Sequence, residues 1–506
     1  MKKKINTIKE GKKITKKNIV TFIILFIVFS VGIYLRIGGV LNNSFAFTYD
    51  VGRDLLKVQE IVLDGKIPLI GQTTGLGGLF YGPWWYYILT PPFIVSQGNP
   101  QGVAAFMVIV GLFVIISGYF LGKKMSGVGL GLIIASFISF SDTMVGYSSQ
   151  IWNPNIAPLL VILCYLLFIT ESKKQVINLL VSFSIGFLLG LIFDSEIVFG
   201  LFFLTGFALS YLYYKKSSVV SYRTLCIVLG FVFVFLPRVF FELRHDFVMT
   251  RSLFVVSDEQ QVLDIPNFFT VLPERIGVFI GLLGETFGLN STGGVVIFVS
   301  CVVIWLFMRK SATKNEKVIF ITSSITFFVF ILLSGVFARA IWGHYLVGIP
   351  VIYIIMVSIG MILVIRKNKY FGVLLCILLI ILSAKPNQVI SNIQNPGWEG
   401  NAAVYRNQVA VIDYIYKDVD NKQFNYIAYT PSVHDYPYQY LFSWYGTKAY
   451  GYNPSVSTQK LLYVILEPDP GYEGRITDWL KVREGDGVVQ EEVVVKGGIR
   501  VQKRLR

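Results

Sequence analysis

Asp50, Arg53 and Asp54 stand close together in "FTYDVGRD" (47–54), and Lys57 lies one helical turn further on. The stretch follows directly on a long apolar run, so these charges fall at the mouth of a membrane span. A carboxylate in that place can take the proton of an attacking hydroxyl, and an arginine can hold an anionic group. There is also an ordinary reading. An aspartate at a helix start suits free N–H groups and the positive end of the helix dipole. The residues alone leave both open.

Other gaps between apolar runs carry further candidates. "FYGPWWYY" supplies Tyr81 ahead of an aromatic block, and "YSSQIWNPNIAP" supplies Trp152, Asn153 and Asn155. Asp194 and Glu196 mark a short turn, "LPRVFFELRHDF" carries Arg244 and His245 beside Asp246, and Arg339 and His344 flank another turn. Each has a structural alternative. Trp84 to Tyr87 fit an interfacial aromatic belt, Arg339 and His344 fit a helix end among lipid headgroups, and His245 with Asp246 fits a surface pair.

The elements that must position these residues follow from composition. The chain has 506 residues, is 54% hydrophobic and 15% charged, and has a mean hydropathy of +0.62. Runs of about 20 apolar residues recur, the length a transmembrane helix needs. Spans are expected near 19–40, 100–121, 127–141, 156–170, 176–193, 197–214, 224–241, 293–308, 318–337, 345–365 and 370–385, about 11 in all. Lys and Arg collect in alternate short gaps: the N-terminus, Lys123–Lys124, Lys173–Lys174, Lys215–Arg223, Arg309–Lys317 and Arg366–Lys369. That is the positive-inside pattern. It places the N-terminus in the cytoplasm and accounts for the net charge of +15 without a nucleic-acid partner. The first run is too long for a cleaved signal core and reads as a retained anchor. Apolar stretches 80–97 and 276–289 must not cross if this parity is to hold; the first, with Pro83, Pro91 and Pro92, is expected as a broken interfacial helix.

The first outer gap, about 41–99, is long enough to imply a purpose. Within it, "DVGRDLLKVQEIVLDG" puts Leu55, Val58, Ile61 and Val62 on one stripe, leaves Asp54 off it, and stops at Gly65, as a short amphipathic helix would. Residues 398–506 have balanced charge and read as a small soluble α/β domain, with a helix in "AVIDYIYKDV" and strands in "FNYIAYTP", "KLLYVILEP" and "EEVVVKGGIRVQKR". The expected division is a basic cytoplasmic N-terminus (1–18), a membrane domain (19–385), a linker (386–397) and an extracytoplasmic domain (398–506) at the plasma membrane. All four cysteines lie in apolar runs, with no spacing of a disulfide or metal framework.

"YDVGRDLLKVQEIVLDGKIPLIGQ", "FYGPWWYYILTPPF", "GYSSQIWNPNIAP" and "ELRHDF", in this order and on one face, resemble the GT-C membrane glycosyltransferases. The resemblance is to the bacterial branch related to dolichyl-phosphate-mannose–protein mannosyltransferases and the lipid A aminoarabinose transferase. It extends over about 19–385. It implies inverting transfer of a sugar from a polyprenyl-phosphate carrier to a lipid, glycan or protein acceptor at the outer surface. It also implies that Asp50 is the catalytic base. Relatives commonly carry a second acidic residue next, where Val51 stands here. Some keep an aspartate where this chain has Asn153, which is therefore assigned to substrate positioning.

The implied chemistry requires such residue types. A base must accept the acceptor's proton, and cations must meet the departing phosphate. Arg244, His245, Arg339 and His344 are candidates for the latter, with Arg53 and Lys57 nearer the base. No Asp/Glu/His cluster demands a metal, though Asp50 with other loops leaves a divalent cation open. The main rival class is a transporter or flippase of a lipid-linked sugar. It would carry charges at mid-membrane depth and pseudo-symmetric halves, neither of which is evident. A diphosphate-linked glycan ligase or polymerase would place its large loop late in the chain. An anchor for the C-terminal domain would not need about 11 spans.

Overall fold

The computed structural model describes residues 16–75, 78–215, 221–254, 265–386, 400–432 and 434–506. Most of the expected basic N-terminus and nearly all of the expected linker lie outside the described residues. The chain opens with helix α1 (Lys16–Leu41), followed by α2 (Tyr49–Asp64), α3 (Trp84–Val95), α4 (Pro100–Ser126), α5 (Val128–Phe140) and α6 (Asp142–Ser148). Next come α7 (Ala157–Phe168), α8 (Gln175–Ser195), α9 (Ile197–Lys215), α10 (Tyr222–Arg244), α11 (Val248–Phe254) and α12 (Phe268–Thr286). The bundle closes with α13 (Ser291–Met308), α14 (Lys314–Val336), α15 (Ile349–Lys367) and α16 (Lys369–Ser383).

Among the described residues, eight helices are long and apolar enough to cross a membrane. A ninth candidate is the pair α5 and α6, bent by 68°, and two shorter apolar helices cover Asn153–Phe168 and Lys369–Ser383. Together these occupy the expected stretches, and the chain is a multi-pass membrane protein. Three of the basic gaps meet at one end of the bundle. There Arg366 donates to Glu316 Oε1 (2.6 Å) and to Ser126, Thr313 Oγ1 donates to Met125 O (2.9 Å), and Asn315 reaches Lys124 O (3.2 Å). The cysteines are free; Cys164, Cys301 and Cys376 are buried among apolar side chains.

At the other end, α2 forms where its periodicity expects it and stops at Gly65, whose φ of 66° is the left-handed conformation that glycine adopts without steric cost. Asp54, expected off the buried stripe, is 1% exposed, because α2 is covered on a second side as well. The α3 segment is not broken at its prolines. It is a single 12-residue helix in which Pro91 and Pro92 fall near the C-terminal end, so few hydrogen bonds are lost. Residues 276–289 belong mostly to α12, which carries Glu274, Arg275 and Glu285 and is not among the eight long apolar helices.

The C-terminal part is a four-stranded sheet in the order β1-β2-β4-β3, from β1 (Asn425–Tyr429), β2 (Leu461–Leu466), β3 (Val488–Val494) and β4 (Arg500–Leu505). β1 and β2 are parallel, and the other pairs are antiparallel. Helix α17 (Tyr405–Val419) buries Val411, Ile412 and Ile415 in the core. This unit holds the segment leading into α2: Phe47 N–H donates to Ala403 O (2.8 Å), Tyr405 N–H donates to Phe45 O (3.1 Å), and the Phe45 and Tyr405 rings stack at 4.9 Å. Helix α18 (Tyr436–Leu441) lies against α2 at Gly52, where a Cβ would stand 2.5 Å from the Pro437 nitrogen.

Candidate active site

Asp50 occupies the first turn of α2 but is not used to cap it. Its Oδ1 pairs with Arg53 Nη1 at 2.8 Å, one helical turn on. Arg53 in turn donates from Nε (2.9 Å) and Nη2 (2.8 Å) to Asp54 Oδ1, and Trp85 Nε1 donates to Asp54 Oδ2 (2.7 Å). Burial pushes the Asp54 carboxyl up to about 6, with Arg53 and Trp85 opposing that by favouring its charged form. Burial pulls the Arg53 guanidinium down, but Asp54 and Asp50 outweigh it and hold Arg53 above its ordinary value.

Asp50 and Arg53 line a cavity of about 850 Å³ together with Gln72, Thr73, Thr74, Gly75, Tyr81, Trp152, Asn153, Glu196, Arg339, Ala340, Trp342, His344 and Tyr345. Widely separated elements meet here: α2 and the loop after it, the start of the α7 region, the α8–α9 junction and the turn between α14 and α15. The α8–α9 junction is Glu196 alone in extended conformation, which turns its side chain inward. Both Glu196 oxygens accept from Tyr81 Oη at 3.1 Å. Burial pushes this carboxyl up to about 8, the Tyr81 and Val198 hydrogen bonds opposing the shift. Arg339 Nη1 donates to Gly75 O (3.1 Å), and the His344 ring packs 5.4 Å from Trp152. Asn153 donates to Ser195 O.

A second, largely apolar cavity of about 200 Å³ opens from the same place. It runs between α9 and α14, lined by Ile197, Leu201, Phe202, Leu333, Val336 and Phe337, and shares Thr74, Gly75, Tyr81, Glu196, Arg339 and Tyr345 with the polar one. The two thus form one site with a polar chamber and an apolar branch.

Several expected residues lie elsewhere. Lys57 pairs with Glu60 (2.7 Å), and Asn155 donates to Gln150 O (3.2 Å). Asp194, 2% exposed, is the partner of Arg238 and accepts from Trp84 N–H (3.1 Å), tying the start of α3 to α8 and α10. Arg244 and His245 are exposed and do not line the cavity. His245 stacks on Phe241 at 4.2 Å, and Glu242 accepts from Met249 N (2.8 Å) and Thr250 N (2.9 Å). "ELRHDF" is therefore an elbow between α10 and α11, with positive φ at Asp246 and Phe247. Gln72, Trp342 and Tyr345 were not singled out from sequence, although "GQTTG" and "IWGHYL" contain them. Gln72 is 8% exposed, and its Oε1 has no hydrogen-bond partner. Among the described residues no group of three or more His, Cys, Asp or Glu could hold a metal ion.

No protein-family model and no curated protein sequence matches the chain. Solved structures do. ArnT from Cupriavidus metallidurans bound to undecaprenyl phosphate superposes with a TM-score of 0.57 at 10% identity, over 97% of this chain and 98% of that one. The apo state of ArnT gives 0.56 at 11% identity, over 96% and 97%. At such identity the likeness is one of fold, and it extends over nearly the whole of both chains. This chain has the GT-C fold.

Proposed function

We propose that this protein transfers a sugar from a polyprenyl-phosphate carrier to an acceptor on the extracytoplasmic face, with inversion at the anomeric carbon. The observation that carries the reading is the joined pair of cavities, a polar chamber holding Asp50 and an apolar branch between α9 and α14, with Arg339 and Tyr345 at their junction. A lipid-linked sugar has that same division of polar head and apolar tail. ArnT was crystallised with undecaprenyl phosphate, and we carry that ligand class to this chain.

The roles follow from chemistry. The isoprenoid lies along the apolar branch, and its phosphate rests at Arg339. The sugar sits in the chamber, within reach of the polar side chains that line it. Glu196, holding its proton at neutral pH, donates a further hydrogen bond to donor oxygens. The acceptor hydroxyl attacks the anomeric carbon opposite the phosphate. The new C–O bond forms as the bond to the phosphate oxygen breaks, the electron pair leaves with the lipid phosphate, and the hydroxyl proton passes to Asp50. The leaving phosphate gains a negative charge, which Arg339 offsets in a site partly closed to water.

The test is an assay of the purified full chain with a panel of polyprenyl-phosphate sugars. Asp50→Asn is expected to abolish transfer while binding of the carrier lipid is retained; Arg339→Ala is expected to weaken both. Undiminished turnover in Asp50→Asn would remove Asp50 from the role of base.

A further inference from the structure

Three aromatic rings from two parts of the chain gather beside Asp50. Tyr49, the residue before it, lies 5.0 Å from Tyr436 and 6.0 Å from His434, and His434 and Tyr436 stack at 5.3 Å with 15° between their planes. The Arg53 guanidinium that pairs with Asp50 lies 5.5 Å from the Tyr49 ring centre. The cluster is thus linked to the polar cavity through a residue that lines it.

These rings are not simply packing. In "HDYPYQYL" the buried residues are Pro437, Tyr438, Tyr440 and Leu441, and the backbone of Tyr436 and Pro437 meets α2 at Gly52. Tyr436 and Tyr49 are only half-buried, and His434 is exposed. Asp435 and Gln439, hydrogen-bonded to each other at 2.7 Å, add polar groups beside the rings. Close backbone contact at Gly52 fixes the distance between this cluster and Asp50.

Partly exposed rings, two of them within 15° of parallel and the third tilted by 41–51°, with a carboxylate and an amide on the same short segment, suit the pyranose ring. Its C–H face carries partial positive charge and lies on the negative face of an aromatic ring, while its hydroxyls take the neighbouring polar groups. We infer that Tyr49, His434 and Tyr436 form a carbohydrate-binding platform, and that the acceptor is a glycan brought to Asp50 by the C-terminal domain. The first half stands on this geometry alone; the word acceptor rests on the function proposed above.

The experiment is saturation-transfer NMR on the full chain in lipid nanodiscs, with cellotetraose as the probe because its equatorial hydroxyls leave both ring faces as C–H surfaces. Saturation is expected on the sugar C–H protons. It is expected to be lost in His434→Ala and Tyr436→Ala, regained in His434→Phe, and kept in Asp50→Asn, with the Tm of each variant measured alongside. Absence of saturation transfer in the wild-type protein, or transfer undiminished from wild type in the two alanine variants, would overturn the platform. Platform binding in a protein that uses no polyprenyl-phosphate sugar would sustain the platform and overturn the transferase reading instead.

Discussion

Asp54 is the carboxylate that supports the position of Asp50, the proposed base. It makes no contact with the polar cavity, yet it holds two of Arg53's donor atoms while a third reaches Asp50. Replacing it by Asn removes a charged acceptor, and a charge-assisted hydrogen bond contributes about 1.5–3 kcal/mol. Asp54→Asn is therefore expected to lower kcat by roughly tenfold to a hundredfold with little change in the donor's KM. Steady-state kinetics at full donor saturation checks this; an unchanged kcat would mean that Asp50 needs no such support. Glu196 gives a pH prediction. Its folded-state value of about 8 lies above its ordinary 4.5, so the folded protein keeps a proton that the unfolded chain releases. That contribution to stability is whole below about 4.5, declines as pH rises, and is gone above about 8. Across that window, Tm should fall more steeply for wild type than for Glu196→Gln. Parallel curves would show that Glu196 ionises freely.

Helix α2 is held from two sides, by α3 through Trp85 and Asp54 and by α18 through Gly52. Any side chain at Gly52 meets backbone atoms of Tyr436 and Pro437 at 2.5–2.8 Å, and backbone cannot rotate away as a side chain can. Gly52→Ala should cost about 1–3 kcal/mol, the usual range for overpacking, and lower Tm. The helix itself was legible in sequence, from its apolar stripe to its Gly65 stop. The second cover was not. Asp54 falls off the stripe, and no local periodicity tells that Trp85 will close over it or that a hexapeptide almost 400 residues later will pack on Gly52.

At the scale of the whole molecule, the basic gaps at one end and the C-terminal sheet at the other predict an orientation. Single cysteines at two exposed positions, Lys310→Cys and Glu473→Cys, test it on intact cells. A membrane-impermeant maleimide should label the second and leave the first until the membrane is opened. The reverse pattern would turn the proposed active site toward the cytoplasm.

The sequence by itself determined the membrane class, the apolar stretches, the α/β character of the C-terminal unit and the stretch that carries Asp50. Hydropathy, charge bias and helical period are local quantities, and each is written along the chain. Only the tertiary structure decided which of the polar loop residues meet. It brought Glu196, Arg339 and His344 to Asp50 and left Arg244 and His245 on an exposed elbow, although all looked alike as polar residues at helix ends. It also joined the apolar branch to the polar chamber and set Tyr436 against Tyr49. Such pairings depend on how helices pack and turn in space, and spacing along one strand of sequence holds no record of that.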